Sequence, residues 1–229
     1  MKISVIGDEP SGVVLAKAWA LAGHEISGVA VTTPIAIERV EALLPDVYIG
    51  SMPAVAEEAD LVVLAVPYSD VSLVCEGLAD LSLFGPKKLV MHLSPLQGYG
   101  ALAAAGLHGA VPIAMHPVMH FTGTSVDLMV LKNSTIAISA PEVFQPIAQA
   151  LAIELGGEPI IVGEEQRPAY SEAYEVANSF SSMVVSQAVG ILAEAGVENP
   201  AALIGPVVRS AVEDALAKPP QSLDPRDLI

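Results

Sequence analysis

The chain alternates β-strand-like runs with helical runs across its first two-thirds, and this alternation constrains the fold more than any other feature. The continuously apolar run at 62–66 is typical of a strand that is buried on both faces. Strands that alternate with helices predict a doubly wound, mainly parallel α/β sheet. Seven strands are predicted, at residues 2–6, 25–31, 61–66, 88–93, 111–115, 135–139 and 159–162.

Helical patterns lie between these strands and after the last one. Five helices are predicted at 12–22, 35–44, 71–81, 98–105 and 141–155. Beyond residue 163 one long helix is expected at about 168–195, because Pro168 suits a first turn and Gly196 a helix end. A further helix is expected at about 200–217. The sequence thus predicts a sheet domain at 1–163, a small all-α part at 164–218 and an irregular tail at 219–229.

The long helix has no charged residue from 176 to 193. Two helices cannot bury such a surface in a core of their own. We therefore expect this surface to pack against the same helix of a second chain, which would make the protein a homodimer. The alternative is that both helices fold back onto the sheet domain of their own chain.

Charge and cysteine content limit the partners and the compartment. The 229-residue chain has a net charge of −16, which would repel nucleic acid and an anionic membrane surface. One cysteine, Cys75, allows no internal disulfide and no cysteine-pair metal site, so a cytoplasmic protein without a metal is expected. The uncharged run 89–126 contains three prolines and is not expected to span a membrane, and no signal peptide is expected before the first strand.

A turn with the sequence GDEPSG (7–12) follows the first strand. A dinucleotide-binding turn has glycine at its first, third and sixth positions. Gly7 and Gly12 keep the first and sixth glycines, which provide the tight bend and the close packing of the helix. Glu9 replaces the third, at which the backbone normally approaches the pyrophosphate, and Pro10 removes an amide hydrogen. The sequence therefore predicts a dinucleotide-type fold with weak or lost cofactor binding.

The second strand ends in hydroxyl groups rather than in an acid. NAD-binding proteins usually place Asp or Glu there for the ribose hydroxyls. Here Thr32 and Thr33 suit the 2′-phosphate of NADP better, and Arg39 could add a contact unless it is simply an exposed helix residue. NADP is therefore the expected cofactor if a dinucleotide binds.

The third strand ends at Val66 and Pro67. In a doubly wound sheet the carboxyl ends of the strands near the switch in strand order form the ligand crevice, so both residues are expected near a nicotinamide. The alternative is an ordinary turn between a strand and a helix. In either case Ser69 or Asp70 is expected to cap the next helix.

Polar side chains stand at the ends of the next two strands. His92 and Ser94 end the fourth strand, and His116 follows the fifth. Because the ends of parallel strands open onto one crevice, these three are the candidate catalytic residues. His116 would exchange a proton with the substrate while Ser94 and His92 orient its oxygen. The alternative is that both histidines are buried structural residues with hydrogen-bond partners.

Three motifs give the chain a family resemblance: HLSPLQGYGAL (92–102), AMHPVMHF (114–121) and LIGPVVRS (203–210). Their order resembles a functionally uncharacterised Rossmann-like branch of the 6-phosphogluconate dehydrogenase-like superfamily, which includes pyrroline-5-carboxylate reductases and prephenate dehydrogenases. That branch shows H-x-S-G, H-P-L-Q and a segment like T-G-P-x-x-R. In this chain Pro95 replaces the glycine of the first motif, Met119 replaces the glutamine of the second, and Ser171 stands where a histidine is usual.

The resemblance implies a Rossmann-type sheet domain followed by a helical part that contributes to substrate binding. It assigns that role to Asn178 on the long helix and to Arg209 on the next helix, where the arginine would bind a carboxylate. The alternative for Arg209 is an ion pair with Glu213, four residues later. No lysine lies on the long helix, which argues against a lysine-based dehydrogenase mechanism.

Two functions follow from these observations. The first is an NADP-dependent oxidoreductase that transfers a hydride on a small carboxylate-bearing metabolite. The second is a catalytically inactive Rossmann-like protein with a degenerate cofactor site, which binds another small ligand or serves as a dimeric interaction module. Glu9 favours the second function, whereas His92, Ser94 and His116 favour the first.

Overall fold

A computed structural model describes residues 1–218, and the predicted tail at 219–229 lies outside the described residues. Seven strands form one sheet in the order β2-β1-β3-β4-β5-β6-β7 within the described chain. Neighbouring strands are parallel except β5 and β6, which are antiparallel. The doubly wound, mainly parallel sheet is therefore confirmed. The strands are β1 (Lys2–Ile6), β2 (Glu25–Ala30), β3 (Leu61–Leu64), β4 (Leu89–His92), β5 (Val111–Pro117), β6 (Thr135–Ser139) and β7 (Glu158–Ile161).

Ten α-helices surround or follow the strands in the described chain. They are α1 (Pro10–Leu21), α2 (Pro34–Leu43), α3 (Met52–Glu57), α4 (Val71–Asp80), α5 (Ala103–Leu107), α6 (Asp127–Leu131), α7 (Gln145–Glu154), α8 (Arg167–Glu175), α9 (Ser181–Glu194) and α10 (Pro200–Leu216). The sequence did not predict α3 and α6, because six and five residues are too few to show a helical period. The helices predicted at 98–105 and 141–155 begin instead as 3₁₀ turns, Tyr99–Leu102 and Glu142–Phe144.

Apolar side chains fill both faces of the sheet, as a doubly wound fold requires. On one face α1, α2 and α7 pack against the strands, and on the other α3, α4 and α5 do so. Trp19 on α1 is fully buried, and its ring nitrogen donates a hydrogen bond of 3.2 Å to the carbonyl of Leu151 on α7. This bond joins two helices on the first face of the sheet through residues that are 132 positions apart in sequence.

The change in strand order occurs where β1 pairs with β2 on one side and with β3 on the other. Gly7 lies in this turn with a φ of +121°, and a Cβ there would overlap the carbonyl oxygen of Ala65. A Cβ on Gly12 would lie 2.5 Å from the Cβ of Ala65. Both glycines therefore allow the turn and the start of α1 to lie directly against the end of β3.

The chain divides into two compact units, Met1–Glu172 and Ala173–Ile229. The first unit contains the sheet and the first six residues of α8. The second contains the rest of the long helix, in which the π-helical turn Val176–Phe180 separates α8 from α9, and then α10. No residue from 173 to 218 is buried.

The 28-residue helix Arg167–Glu194 confirms the predicted long helix. By length and composition alone it could cross a membrane, with a mean hydropathy of 1.4 over its most apolar window. One such helix is weak evidence for a membrane protein, because an apolar helix of a soluble protein passes the same test.

Replacing Gly12 by alanine tests the close packing of the turn. We expect Gly12→Ala to lower the free energy of unfolding by about 1–3 kcal/mol, because the new methyl group overlaps Ala65 and Val5. Gly77→Ala on α4 is the matched control. Its methyl group would meet no atom within 4 Å, and stability should rise by about 0.5–1 kcal/mol. Equal effects of the two changes in urea unfolding would contradict the proposed packing.

Candidate functional site

Two backbone amides of the turn between β1 and α1 are hydrogen-bonded to carbonyls at the ends of neighbouring strands of the protein. The Gly7 amide donates to the carbonyl of Ala30 (2.9 Å), and the Glu9 amide donates to the carbonyl of Ala65 (3.0 Å). Glu9 has a φ of −63°, so its backbone does not require glycine, and its side chain is exposed without capping α1. The fold therefore does not require a particular side chain at residue 9, and the glutamate side chain affects only the surface that a ligand would contact.

The first turn of α1 offers few donors to an anion. Pro10, its first residue, has no amide hydrogen, and the Gly12 amide donates to the Glu9 carbonyl at 3.1 Å. A helix start normally attracts a phosphate through its free amides. In this chain that attraction is reduced at the place where the exposed carboxylate of Glu9 adds negative charge.

Asp8 occupies the donors at the end of β2. Its carboxylate accepts hydrogen bonds from the Thr32 amide (2.8 Å), the Thr32 hydroxyl (2.7 Å) and the Thr33 amide (3.1 Å). Burial alone would raise the pKa of the Asp8 carboxyl, but these hydrogen bonds outweigh burial and lower the pKa. The Thr33 hydroxyl accepts from the Ala36 amide and caps α2. The groups that were expected to face a 2′-phosphate are thus engaged within the protein.

A shallow cleft lies between this turn and the elements β2 and α2. In a doubly wound fold the adenosine half of a dinucleotide binds at this position. The walls are mainly apolar, and the Asp8 carboxylate is the kind of group that accepts ribose hydroxyls. The exposed carboxylate of Glu9 and the missing amide hydrogen of Pro10 make the adjoining turn a poor site for a phosphate. The lining residues of the cleft are Val5, Gly7, Asp8, Glu9, Val13, Val29, Val31, Ala36, Arg39 and Val40.

The segment after β5 approaches this cleft. Asp127 is buried and accepts hydrogen bonds from the amides of Thr122 and Gly123 and from the Thr122 hydroxyl, which closes the loop. Gly123 lies so close to Arg39 that a Cβ would be 2.8 Å from the Cδ of the arginine. Arg39 therefore borders the cleft, and it packs against this loop.

The end of β3 forms an ordinary turn in its local structure. Val66 is partly buried beside Gly7, and Pro67 is exposed before the 3₁₀ turn Tyr68–Asp70. The expected side-chain cap on the next helix is wrong, because neither side chain bonds a helix amide. The Ser69 hydroxyl instead donates to the Asp70 carboxylate at 2.8 Å.

His92, the last residue of β4, is fully buried, and both of its ring nitrogens bind backbone groups. Nε2 lies 2.9 Å from the carbonyl of Gly98, and Nδ1 accepts from the Ser94 amide at 3.2 Å. Burial lowers the pKa of His92 to about 4, so the ring is neutral near pH 7. This is the structural role that the sequence left open as the alternative, and it leaves no nitrogen of His92 for a substrate oxygen.

Ser94 and Glu164 hold the loop after β4. The Ser94 hydroxyl oxygen accepts from the Leu96 amide at 3.1 Å. The Glu164 carboxylate accepts from the amides of Tyr99 (2.8 Å) and Gly100 (3.3 Å) and from the hydroxyl of Ser139 (2.7 Å). A Cβ on Gly98 would overlap this carboxylate. Several residues of the HLSPLQGYGAL motif thus stabilise the conformation of this loop.

His116 lies inside β5 rather than after it, because the antiparallel pairing with β6 extends β5 to Pro117. Its side chain is on the same face of the sheet as His92, since His92 pairs with Ala114 and His116 is two residues further along the strand. His116 is buried, and its Nδ1 lies 2.6 Å from the hydroxyl of Tyr170. Burial, then the positive charge of Arg167, lowers the pKa of His116 to about 4.

Arg167, the first residue of α8, lies beside this pair. Its guanidinium carbon is 5.2 Å from the centre of the Tyr170 ring. Burial lowers the pKa of Arg167, while Tyr170 and Glu164 favour its charged form. Sequence reasoning missed Arg167, Tyr170 and Glu164 because they approach β4 and β5 only in the folded chain. The one available signal was an arginine at the start of the predicted long helix.

Asn178 and Arg209 belong to the second unit, where both side chains are exposed. Asn178 lies in the π-helical turn, and Arg209 lies on α10. Across residues 1–218 the salt bridges are Lys2–Glu58 and His24–Glu154, so the alternative ion pair of Arg209 with Glu213 is absent there. The same residues contain no cluster of three His, Cys, Asp or Glu side chains that could hold a metal ion.

Several solved structures share this fold at low sequence identity. A protein from Bacteroides fragilis, described provisionally as an NADP oxidoreductase, is 18% identical with a TM-score of 0.75 over 97% of this chain and 84% of its own. A semialdehyde dehydrogenase NAD-binding protein from Cupriavidus necator, in complex with calcium and NAD, is 17% identical with a TM-score of 0.67 over 98% and 87%. A pyrroline-5-carboxylate reductase from Coxiella burnetii is 19% identical with a TM-score of 0.61 over 96% and 81%.

Family models cover most of the sequence. No curated protein matches it significantly. Residues 134–223 match a domain of unknown function, DUF2520, and residues 1–117, more than half of the chain, match the Rossmann-like domain. The chain therefore belongs to the Rossmann-like family, and its C-terminal part matches DUF2520.

Proposed function

We propose that the protein is a nicotinamide-dinucleotide-linked oxidoreductase that acts on a small carboxylate-bearing metabolite. The observation that carries this proposal is the 2.6 Å hydrogen bond between His116 and Tyr170. His116 and His92 lie on the same face of the sheet. A buried histidine and a tyrosine hydroxyl in direct contact can hold and move a proton. Solved oxidoreductases with the same fold support the reaction class.

The dinucleotide, when bound, supplies the hydride or accepts it. In this chain the cleft beside Gly7 would take the adenosine, and Asp8 would accept the ribose hydroxyls. We propose NAD rather than the NADP that the sequence favoured, because the donors of Thr32 and Thr33 are bonded to Asp8. The carboxylate of Asp8 would also repel the additional phosphate of NADP.

The proton is handled by two side chains. At neutral pH the His116 ring is uncharged, since its pKa is about 4. In the tautomer that carries its hydrogen on Nε2, Nδ1 accepts the hydroxyl hydrogen of Tyr170. Tyr170 is half-buried and would be the group that touches the reacting oxygen or nitrogen of the substrate. The hydrogen of the Ser94 hydroxyl is not used by its bond to Leu96 and could orient the same substrate. His92 holds the loop and takes no part in proton transfer.

Glu9 sets the strength of dinucleotide binding in this proposal. A carboxylate within a few ångströms of a phosphate charge at a partly exposed site costs about 1–4 kcal/mol. That range corresponds to at least a several-fold loss of affinity, and tenfold for each 1.4 kcal/mol. The fold does not require glutamate at this position, because its side chain forms no cap and is exposed.

Replacing Glu9 tests the cofactor proposal. We expect Glu9→Gly to tighten NADH binding at least tenfold, because it removes both charge and bulk, and Glu9→Gln to recover only the electrostatic part. Calorimetric titration at two salt concentrations measures the NADH affinity of both variants. Added salt should weaken the repulsion between Glu9 and the pyrophosphate in the wild-type protein, because it screens the charges. Glu25→Gln, at the opposite end of β2, is the control and should change nothing.

A second candidate function is a ligand-binding or interaction module that has lost its cofactor. Glu9 together with Pro10, which lacks an amide hydrogen at the start of α1, favours this candidate. If Glu9→Gly still fails to bind NADH or NADPH at millimolar concentration, the oxidoreductase proposal is wrong and the module remains. If the wild-type protein binds at low micromolar concentration and Glu9→Gly changes nothing, Glu9 does not face the pyrophosphate.

We further propose that the protein is a cytoplasmic homodimer joined by its second unit. No residue from 173 to 218 is buried, and large apolar side chains stand in the open. Met183 and Val184 on α9 are 62% and 65% exposed, and Leu203 and Val207 on α10 are 59% and 61% exposed. A second copy presents the same apolar surface, so a two-fold pairing would cover both at once.

A charge placed in this surface tests the dimer. Light scattering on the wild-type protein at micromolar concentration should give twice the chain mass of 23.6 kDa. Val184→Asp should shift the mass toward the monomer, because a buried unpaired carboxylate opposes association. Val143→Asp, on a valine of the first unit that is 82% exposed and so even more open than Val184, should remain dimeric. A wild-type monomer, or a protein that stays in solution only with detergent, would contradict this proposal.

A further inference from the structure

We propose that Arg167 forms a binding site for a single small carboxylate, the acid group of the metabolite on which the protein acts. That the ligand is a substrate rests on the proposed function, whereas the site itself follows from the surroundings of Arg167. The sequence had placed this role on Arg209. The structure instead assigns it to the arginine that stands beside Tyr170 and His116.

The guanidinium group of Arg167 is buried without a partner. The residue is 3% exposed, and its Nε, Nη1 and Nη2 atoms make no hydrogen bond within residues 1–218. An arginine cannot lose its proton to avoid the penalty of burial. A buried positive charge is stable only when it is paired and hydrogen-bonded. The arrangement therefore points to an anion that binds these three nitrogens.

The neighbouring groups do not supply that anion. Glu164 contributes a favourable charge but lies beyond salt-bridge distance, and its oxygens accept from Tyr99, Gly100 and Ser139. The two histidines near Arg167 are neutral at pH 7, because each has a pKa of about 4. Tyr170 covers the guanidinium with its ring, 5.2 Å away. The nitrogen atoms of Arg167 thus keep their capacity to donate.

A carboxylate matches this site better than a phosphate does. The planar guanidinium donates two parallel hydrogen bonds to the two oxygens of a carboxylate. A phosphate dianion would bring a second charge close to Glu164, in a chain whose net charge is −16. We therefore assign the site to a monocarboxylate.

The position of Tyr170 indicates where the rest of the ligand would lie. Tyr170 is three residues after Arg167 on α8, so both side chains leave the same face of the helix. A carboxylate held by Arg167 would place a nearby oxygen or nitrogen within reach of the Tyr170 hydroxyl, whose partner is His116. The ligand class is thus a short acid with its reacting atom close to the carboxylate.

Binding of pyruvate to the dinucleotide-free protein tests the site. Calorimetry on the wild-type protein should show saturable binding of one pyruvate per chain. Arg167→Met should weaken it at least tenfold, and Arg167→Lys should retain part of it, because lysine keeps the charge but loses the fork of donors. Arg209→Met, on the exposed arginine of α10, is the matched control and should bind as the wild type does. Inorganic phosphate is the comparison ligand and should bind more weakly than pyruvate.

Each contrary result has a distinct meaning. Wild-type protein that binds no pyruvate, an Arg167→Met variant with native circular dichroism that binds normally, or loss of binding in Arg209→Met would overturn the proposal. Tighter binding of phosphate than of pyruvate would overturn the assignment to a carboxylate. Because no dinucleotide is present, these results are independent of the NADH titration, and either proposal can fail while the other stands.

Discussion

The close approach of the β1–α1 turn to the end of β3 is the constraint on which the rest of the structure depends. No Cβ fits at Gly7 or Gly12 against Ala65. The Gly7 amide donates to the carbonyl of Ala30 at the end of β2, and the Glu9 amide donates to the carbonyl of Ala65, which follows β3. This packing sets β1 between β2 and β3, and so creates the crevice at their carboxyl ends. These hydrogen bonds leave the Gly7 and Glu9 amides unavailable to a ligand. The Asp8 carboxylate likewise accepts hydrogen bonds from the amides of Thr32 and Thr33 after β2. The turn of a doubly wound fold is thus retained, while few donors there remain free to bind an anion.

Positive charge is instead found beside β4 and β5. His92 and Glu164 fix the loop between β4 and α5 through backbone bonds, and this loop forms part of the surroundings of α8. Arg167 and Tyr170 then present a guanidinium and a hydroxyl next to the buried ring of His116. The proposed division of labour follows from this arrangement. The cleft beside Asp8 takes the nucleoside, and the arginine takes the acid group of the substrate.

The sequence predicted the sheet because buried parallel strands need continuous apolar runs, and those runs are visible without knowledge of their partners. It also nominated His92 and His116, but it could not distinguish a ring bonded to backbone from one bonded to a tyrosine. The contacts that decide their roles join residues far apart in the chain, such as His116 with Tyr170, 54 positions later. For the same reason it credited Thr32 and Thr33 with free hydroxyls, because local patterns do not show that the Thr32 hydroxyl donates to Asp8, 24 positions earlier, or that the Thr33 hydroxyl caps α2.

The central claim is that Asp8 satisfies the donors of the cofactor cleft and thereby disfavours the 2′-phosphate. The most direct measurement is the ratio of the dissociation constants for NADPH and NADH in wild-type protein and in Asp8→Asn, with Asp70→Asn as control. The wild-type protein should bind NADH at least tenfold more tightly, since one close charge contact is worth about 1–4 kcal/mol. Asp8→Asn keeps an oxygen for the Thr32 amide and should narrow the ratio at least fivefold. A wild-type preference for NADPH, or a ratio that Asp8→Asn leaves unchanged, would contradict the account.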